Sequence, residues 1–294
     1  MKTRLFFLFV LMLSMTVNIL GQNAGDYYQE YENAVQQGDY SKAVKALEKC
    51  NSMSNESPMS SFSLGLMYLT GKGLPVDTTK AMVQFLSTTS YEYRYNAHVT
   101  IDFLKNMGAS PSDIKKAEDE IKENDRQYKL YLKPSPLEEN LIISFARRWL
   151  GCLSFQDATD TEETYEDRMD AAASALKDLE KADSLTQDAY SQYLLGRIYY
   201  EGLIGMRDQT KGMRLIERAA EKGSISALTY LGDITMKQGD KKGARELWKA
   251  ATKIEILPIP LMNRRNALSF RSPNIDIFDV RKMQQHAAAS LKQK

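Results

Sequence analysis

Along most of this chain apolar side chains recur every three or four residues, with polar ones filling the gaps. That spacing predicts one helix after another. It places helices over 24–37, 40–50, 59–70, 77–89, 94–107 and 111–131. Gly108 and Pro111 separate the last two, and Pro134 and Pro136 break the chain beyond them. Leu141, Ile142, Phe145, Trp149 and Cys152 then fall at helical spacing over 137–152. A long acidic helix is predicted over 161–182, and further helices over 187–201, 209–222, 224–237 and 241–253. The run Tyr91-Glu-Tyr-Arg-Tyr95 alternates as a strand would, but it falls at a loop position between helices.

Part of this pattern repeats itself. Residues 63–81 and 194–212 align without a gap, so Gly65, Tyr68, Gly71, Asp77 and Lys80 match Gly196, Tyr199, Gly202, Asp208 and Lys211. A third copy starts at Leu231-Gly232, and 232 − 196 gives a period of 36 residues. A period of this size marks an array of helical repeats. Gly65 and Gly196 lie inside helices, where glycine costs roughly 1 kcal/mol against alanine, so a neighbouring helix is expected to cross close by. Tyr68 and Tyr199, three residues on, share that face. Gly71 and Gly202 suit the left-handed residue that ends a helix. Asp77 and Asp208 suit the cap of the next one, where a short carboxylate accepts from free backbone N–H groups.

The motif Leu-Gly-x-hydrophobic-Tyr, then Gly-x-Gly, then Asp-x-x-Lys-Ala resembles the Sel1-like repeat family, a relative of the tetratricopeptide repeats. Leu64–Tyr68, Gly71-Lys72-Gly73 and Asp77–Ala81 carry the first copy. Leu195–Tyr199, Gly202, Asp208, Lys211, Ala219-Ala220 and Gly223 carry the second. Thr88-Thr89 stand where the family has Ala-Ala, and Gly212 stands where it has alanine. Two flanking stretches resemble tetratricopeptide helix pairs, one around Gly38-Asp39 and one from Gly232 through Gly239-Asp240 to Trp248, and in each the aspartate is placed to cap the second helix. The resemblance implies an all-α fold. It would be an α-solenoid of helix pairs wound as a right-handed superhelix, with a helical connector and a C-terminal capping tail. The expected divisions are a signal peptide over 1–21, repeats over 22–108, a connector over 109–183, repeats over 184–253 and a capping tail over 254–294.

The ends of the chain are read separately. Lys2 and Arg4 precede an apolar run from Leu5 to Leu20, and Gly21 is small enough to precede a cleavage site. This fits a secretory signal peptide, with an uncleaved membrane anchor as the alternative. The expected location is therefore periplasmic or extracellular, with no membrane span once the leader is removed. Beyond Thr252 the apolar stretch 254–262 holds Pro258 and Pro260 and cannot be helix interior. With Ile275, Ile277 and Phe278 it is expected to fold back over the raw end of the array, Asp279 capping a last helix that holds His286. The alternative is a flexible tail carrying a binding motif.

Charge is nearly balanced at +1, and losing residues 1–21 removes Lys2 and Arg4 and no acid, giving −1. Nothing global points to nucleic acid. Locally, residues 157–188 hold eleven acids against Arg168, Lys177 and Lys181, while residues 237–294 hold thirteen bases against five acids. Lys242, Arg245, Lys249 and Lys253 share one side of a helix. The plain reading is a solvated outer face, and the sharper one is a site for an acidic or polyanionic partner. Cys50 and Cys152 are the only cysteines, and the favoured expectation is two free buried thiols rather than a disulfide.

No catalytic motif is present. Only His98 and His286 supply imidazole, zinc-spaced Cys/His clusters and phosphate-binding loops are missing, and Glu162 and Glu166 read as solvated charge on one helix face. No cofactor or metal is expected, and no enzyme activity. The function expected is an exported scaffold that holds a protein or peptide partner, of unknown identity, on the concave face of the array. An envelope-associated hydrolase or a cell-wall-ligand-binding protein is the alternative. The first helix of each pair should line the concave face. Met67, Gln192, Arg197, Tyr200 and Thr229 are the candidate contact residues there, Arg197 and Tyr200 leading because tyrosine and arginine are frequent binding hot spots.

Overall fold

The computed structural model describes residues 24–52, 57–90, 105, 108–127, 134–263 and 266–292. The leader 1–21, the run 91–95, His98 and most of the helix expected over 94–107 lie outside them. Twelve α-helices make up the described chain, and no strand is found among the described residues beyond one isolated bridge between Leu257 and Ile275. The all-α expectation is met. The chain divides into two compact units, 1–135 and 136–294, the cut falling inside the 109–183 stretch read from sequence as one connector.

The first unit holds two helix pairs, α1 (Ala24–Gln37) with α2 (Tyr40–Ser52) and α3 (Pro58–Thr70) with α4 (Thr78–Ser90), followed by α5 (Pro111–Gln127). Each pair shows why its motif is needed. A Cβ on Gly65 would stand 2.8 Å from Cε1 of Phe85, so α3 and α4 cross where glycine leaves room. Gly71 takes φ +68° and returns its N–H to the Met67 carbonyl. The second glycine of Gly-x-Gly answers a different demand. A Cβ on Gly73 would lie 2.3 Å from the Tyr40 carbonyl oxygen, where the loop runs against the start of α2. Asp39 and Asp77 accept from the Lys42 and Lys80 N–H groups, as caps should. The departure at Thr88 is absorbed because its buried hydroxyl donates to the Gln84 carbonyl one turn back.

The second unit stacks three pairs: α6 (Pro136–Thr159) with α7 (Tyr165–Thr186), α8 (Ala189–Glu201) with α9 (Gln209–Glu221), and α10 (Ile225–Lys237) with α11 (Lys241–Lys253). Each first helix carries a Leu-Gly dipeptide at its crossing. A Cβ on Gly151 would meet Leu179 at 2.7 Å, on Gly196 would meet Ile216 at 2.6 Å, and on Gly232 would meet Trp248 at 2.5 Å. The stretch α6–α7 is thus a long helix pair built on the same crossing glycine. Gly212, where the family has alanine, faces Gly196. A Cβ there would lie 2.6 Å from the Gly196 carbonyl oxygen and from the Tyr200 amide nitrogen. Gly202 takes φ +78° and donates to Ile198, while Asp208 and Asp240 cap α9 and α11. The repeat lysine also has a place: Lys211 lies 3.7 Å from the centre of the Tyr199 ring and Lys80 lies 5.4 Å from that of Tyr68.

Several boundaries move from expectation. Helix α6 runs on to Thr159 rather than ending at 152, and α7 begins only at Tyr165, after the Thr164 cap. Glu162 therefore sits in the turn before α7 and shares no helix face with Glu166.

The tail covers the second unit as expected. Leu261, Met262, Phe270, Ile275 and Ile277 are buried, a short 3₁₀ turn (Ala267–Arg271) packs on α6, and α12 (Val280–Ser290) packs on α10 and α11. Asp279 is a correction. It has helical backbone angles and makes no capping bond to α12. Its carboxylate instead accepts from the hydroxyls of Tyr190 (2.5 Å) and Ser226 (3.1 Å), joining the tail to α8 and α10. Burial pushes the Tyr190 phenol far up, and the Asp279 charge adds to this, so it remains a donor.

One buried ion pair ties the tail, α6 and α8 together. The Arg148 guanidinium, on α6, donates to Asp188 at 2.7 Å, with the two side chains 1% and 3% exposed. Asp188 is also the cap of α8, accepting from the Ser191 N–H at 2.6 Å. Arg148 turns its remaining donors to the Phe270 and Ser272 carbonyls of the tail and rests on the Phe145 ring. Only its Nε has no partner. Both cysteines are free and buried, one in each unit. Burial pushes the Cys50 thiol up to about 12 and the Cys152 thiol well above its ordinary range.

Three outcomes follow. Gly212→Ala lowers the melting temperature although alanine is the better helix former by about 1 kcal/mol, because its methyl meets backbone atoms; a thermal melt followed by circular dichroism checks it. Asp188→Asn keeps a capping oxygen but strands the buried Arg148 charge. It destabilises by about 3–5 kcal/mol in urea titrations, and adding Arg148→Met recovers part of the loss. Neither thiol reacts with an alkylating reagent at pH 8 in the folded chain, whereas both react in denaturant, as intact-mass measurement would show.

Candidate partner-binding surface

The candidate residues separate by burial. Met67, Gln192 and Thr229 are fully buried, contrary to the expectation that they lie on an open face. The reason is that first helices are enclosed on nearly all sides. In α3 every residue from Pro58 to Met67 is buried, and in α8 so is every residue from Ala189 to Gly196. Gln192 donates to Asp183 and accepts from the Lys222 amine, and Thr229 donates back to Ile225. These bonds tie the helices to one another.

Arg197 and Tyr200 come together with residues that sequence reasoning did not single out. One turn of α8 places Arg197 and Glu201 side by side. Their bond is two-pronged, Nε to Oε1 at 2.6 Å and Nη2 to Oε2 at 3.3 Å, and the side chains are 21% and 26% exposed. The guanidinium lies between the Phe155 ring of α6 at 4.8 Å and the Tyr230 ring of α10 at 5.1 Å. Tyr230 donates its hydroxyl to Glu201 at 2.8 Å, and Tyr200 stands edge-on to Tyr230 with centroids 6.4 Å apart. Burial opposes the charge on Arg197, but the neighbouring Tyr193 and Glu201 outweigh it and hold the guanidinium charged. Burial, then the Glu201 charge, pushes the Tyr230 phenol up, so it stays a donor. Each side chain is therefore held in one place by its neighbours.

Beyond Tyr200 the chain enters a loop that holds an exposed apolar side chain. Arg207 donates to the Tyr200 carbonyl at 2.9 Å and lies over the Tyr200 ring, and its neighbour Met206 is 75% exposed. The same loop runs against α7. A Cβ on Gly205 would stand 3.2 Å from Met169 and 3.9 Å from the hydroxyl of Tyr165, itself 68% exposed. Methionine and aromatic side chains are enriched in interface cores. A signal for Tyr165 was present in the sequence, since it stands among Glu162, Glu163, Thr164, Glu166 and Asp167.

Among the described residues no group of His, Cys, Asp and Glu is arranged to hold a metal ion, and no helix is long and apolar enough to cross a membrane. His286 accepts or donates at 3.0 Å with Asp233, which also takes the Trp248 indole N–H. That arrangement ties α12 to the last pair.

Stacked helix pairs joined by crossing glycines make this a helical repeat protein. The Sel1 repeat family model matches residues 58–82 and 189–224, so these two segments are similar to Sel1 repeats. These cover α3 with the start of α4, and α8 with α9. Sel1 repeats generally form protein–protein interaction scaffolds and are typically non-enzymatic. No curated protein matches the chain. Among solved structures it is similar to a Sel1 repeat protein from Oxalobacter formigenes at 19% identity, over 79% of this chain and 89% of that one, with a TM-score of 0.38. It is also similar to a protective antigen of uropathogenic Escherichia coli strains that displays an SLR fold, at 17% identity and a TM-score of 0.29. That match covers 92% of this chain and 60% of the antigen.

The cluster predicts its own energetics. Tyr230→Phe removes one bond to Glu201 and costs about 1 kcal/mol. Arg197→Ala costs more, about 2–3 kcal/mol, because it also empties the space between Phe155 and Tyr230. Urea unfolding of the two variants checks the order.

Proposed function

We propose that this protein is an exported scaffold that grips a protein or peptide partner on the surface formed by Arg197, Tyr200, Tyr230 and Met206. The Sel1 repeats support a protein partner. The basic, then apolar leader ending at Gly21 supports export to a periplasmic or extracellular space. The observation that carries the site is the fixing of the partly exposed Arg197 guanidinium and Tyr230 ring by Glu201. Side chains already immobilised lose little entropy on binding, so more of the contact energy appears as affinity. Tyrosine and arginine at a patch of this kind are the residues on which affinity concentrates. The face is that of the first helices α8 and α10, the expected concave side of such a stack.

The test starts with capture of a partner from the cell-envelope fraction. Tyr200→Ala and Met206→Ser are expected to weaken binding of the captured partner at least tenfold, about 1.4 kcal/mol, while both variants keep the wild-type helical spectrum. Wild-type affinity in both variants would refute the site. Export is tested separately: the recovered protein should begin at Gln22, and retention of residues 1–21 in a membrane fraction would replace export by anchoring.

A further inference from the structure

We propose that copies of this chain associate head to tail, the acidic turn between α6 and α7 of one copy seating on the basic face of α11 of the next. The acidic turn borders the Gly205–Met206 loop through Tyr165, but the contact is one of charge and draws nothing from the Arg197 cluster.

The basic face is built on one helix. Lys241, Lys242, Arg245, Lys249 and Lys253 are all exposed on α11. Lys241, Lys242, Arg245 and Lys249, with Glu246 and Leu291, line a shallow depression of about 580 Å³. Arg245 donates to the Leu291 carbonyl at 3.1 Å and so brings the end of α12 against it as a wall. Lys241, Lys242 and Lys249 take part in no ion pair among the described residues. Steps of three and four residues put Lys242, Arg245 and Lys249 on one side of the helix, over a length of about 10 Å at ~1.5 Å per residue.

The chain carries the complement of this face. Asp157, Asp160, Glu162, Glu163, Glu166 and Asp170 are exposed at the α6–α7 turn, and Arg168 is the only base between them. None of the six is in an ion pair among the described residues. Glu166 and Asp170, four apart, share one face of α7, and Glu162 and Glu163 stand in the turn just before it. The two poles do not neutralise each other within a unit. Helix α7 packs on α6 and α8 and helix α11 on α10 and α12, so they belong to the first and last of three pairs. A formal charge of only +1 leaves little overall repulsion between copies, while the separated poles attract. Because the two surfaces differ, the contact is heterologous, and it propagates into rings or open chains. Exposed ion pairs are individually weak, so the association must be sensitive to salt.

Sedimentation velocity on the purified full chain tests this. At about 20 mM salt the weight-average mass should climb with concentration past that of a dimer. At about 500 mM, where the Debye length has fallen from roughly 20 Å to about 4 Å, it should return to monomer. The triple variant K242E/R245E/K249E and the triple variant E162K/E163K/E166K should each stay monomeric at low salt. An equal mixture of the two should associate again, since every contact then joins opposite charges. Monomer at low salt at every concentration would overturn the proposal. So would association that ignores salt or survives either reversal. If heparin binds the wild-type face and is lost in the lysine variant while the wild type stays monomeric, the face belongs to a polyanion and the proposal fails.

Discussion

The second unit depends on one buried charge pair. Arg148 and Asp188 have left water completely, and a pair so desolvated is tolerable only when almost every donor and acceptor is used. That requirement fixes the geometry around it. Asp188 must stand at the start of α8 to cap it, Arg148 must face it from α6, and the tail must bring the Phe270 and Ser272 carbonyls to the remaining guanidinium donors. Chain segments far apart in sequence are thereby placed against one another. Apolar packing alone tolerates small shifts, but a two-sided hydrogen-bonded charge does not, so the pair acts as a register mark for helices that are otherwise similar in shape.

The repeat motif divides its labour between backbone and side chains. Glycine sets how closely the two helices of a pair approach, aspartate starts the second helix, and the lysine three residues later lies over the tyrosine of the first. Departures from the pattern have local compensations. Thr88 bonds back to its own helix, and Gly212 admits the neighbouring backbone where alanine would stand. The Sel1 model covers only two segments, yet α6–α7 and α10–α11 use the same crossing glycine. The architecture therefore extends further than the recognisable motif.

What was legible in the sequence was local. Helix periodicity, Asp39, Asp77, Asp208 and Asp240 as caps, and Gly71 and Gly202 as turn residues all depend on neighbours within a few positions, and the structure has them where the pattern put them. The α6–α7 pair escaped notice because its helices are long and its turn lacks the Gly-x-Gly signature, although Leu150-Gly151 repeats the dipeptide of the other crossings. Arg148 and Asp188 lie forty residues apart, and Tyr190 and Asp279 eighty-nine, so no window on the sequence contains either pair. Burial of Met67, Gln192 and Thr229 was hidden for a related reason. A helix wrapped on both sides by neighbours loses its polar face, and the wrapping is a property of the stack.

The meeting of Gly196 and Gly212 has a mechanical consequence. At that joint a carbonyl oxygen and an amide nitrogen stand where side chains would ordinarily lie, so backbone touches backbone. Side chains can relieve shear by changing rotamer, whereas a peptide plane has no such freedom. Sliding α9 along α8 therefore means lifting the two helices apart first. At Gly232 the corresponding contact is the edge of the Trp248 ring, a side chain rather than a peptide plane. Two joints made from helices of equal length thus differ in compliance, and bending of the stack will be taken up at the tryptophan hinge before the glycine one.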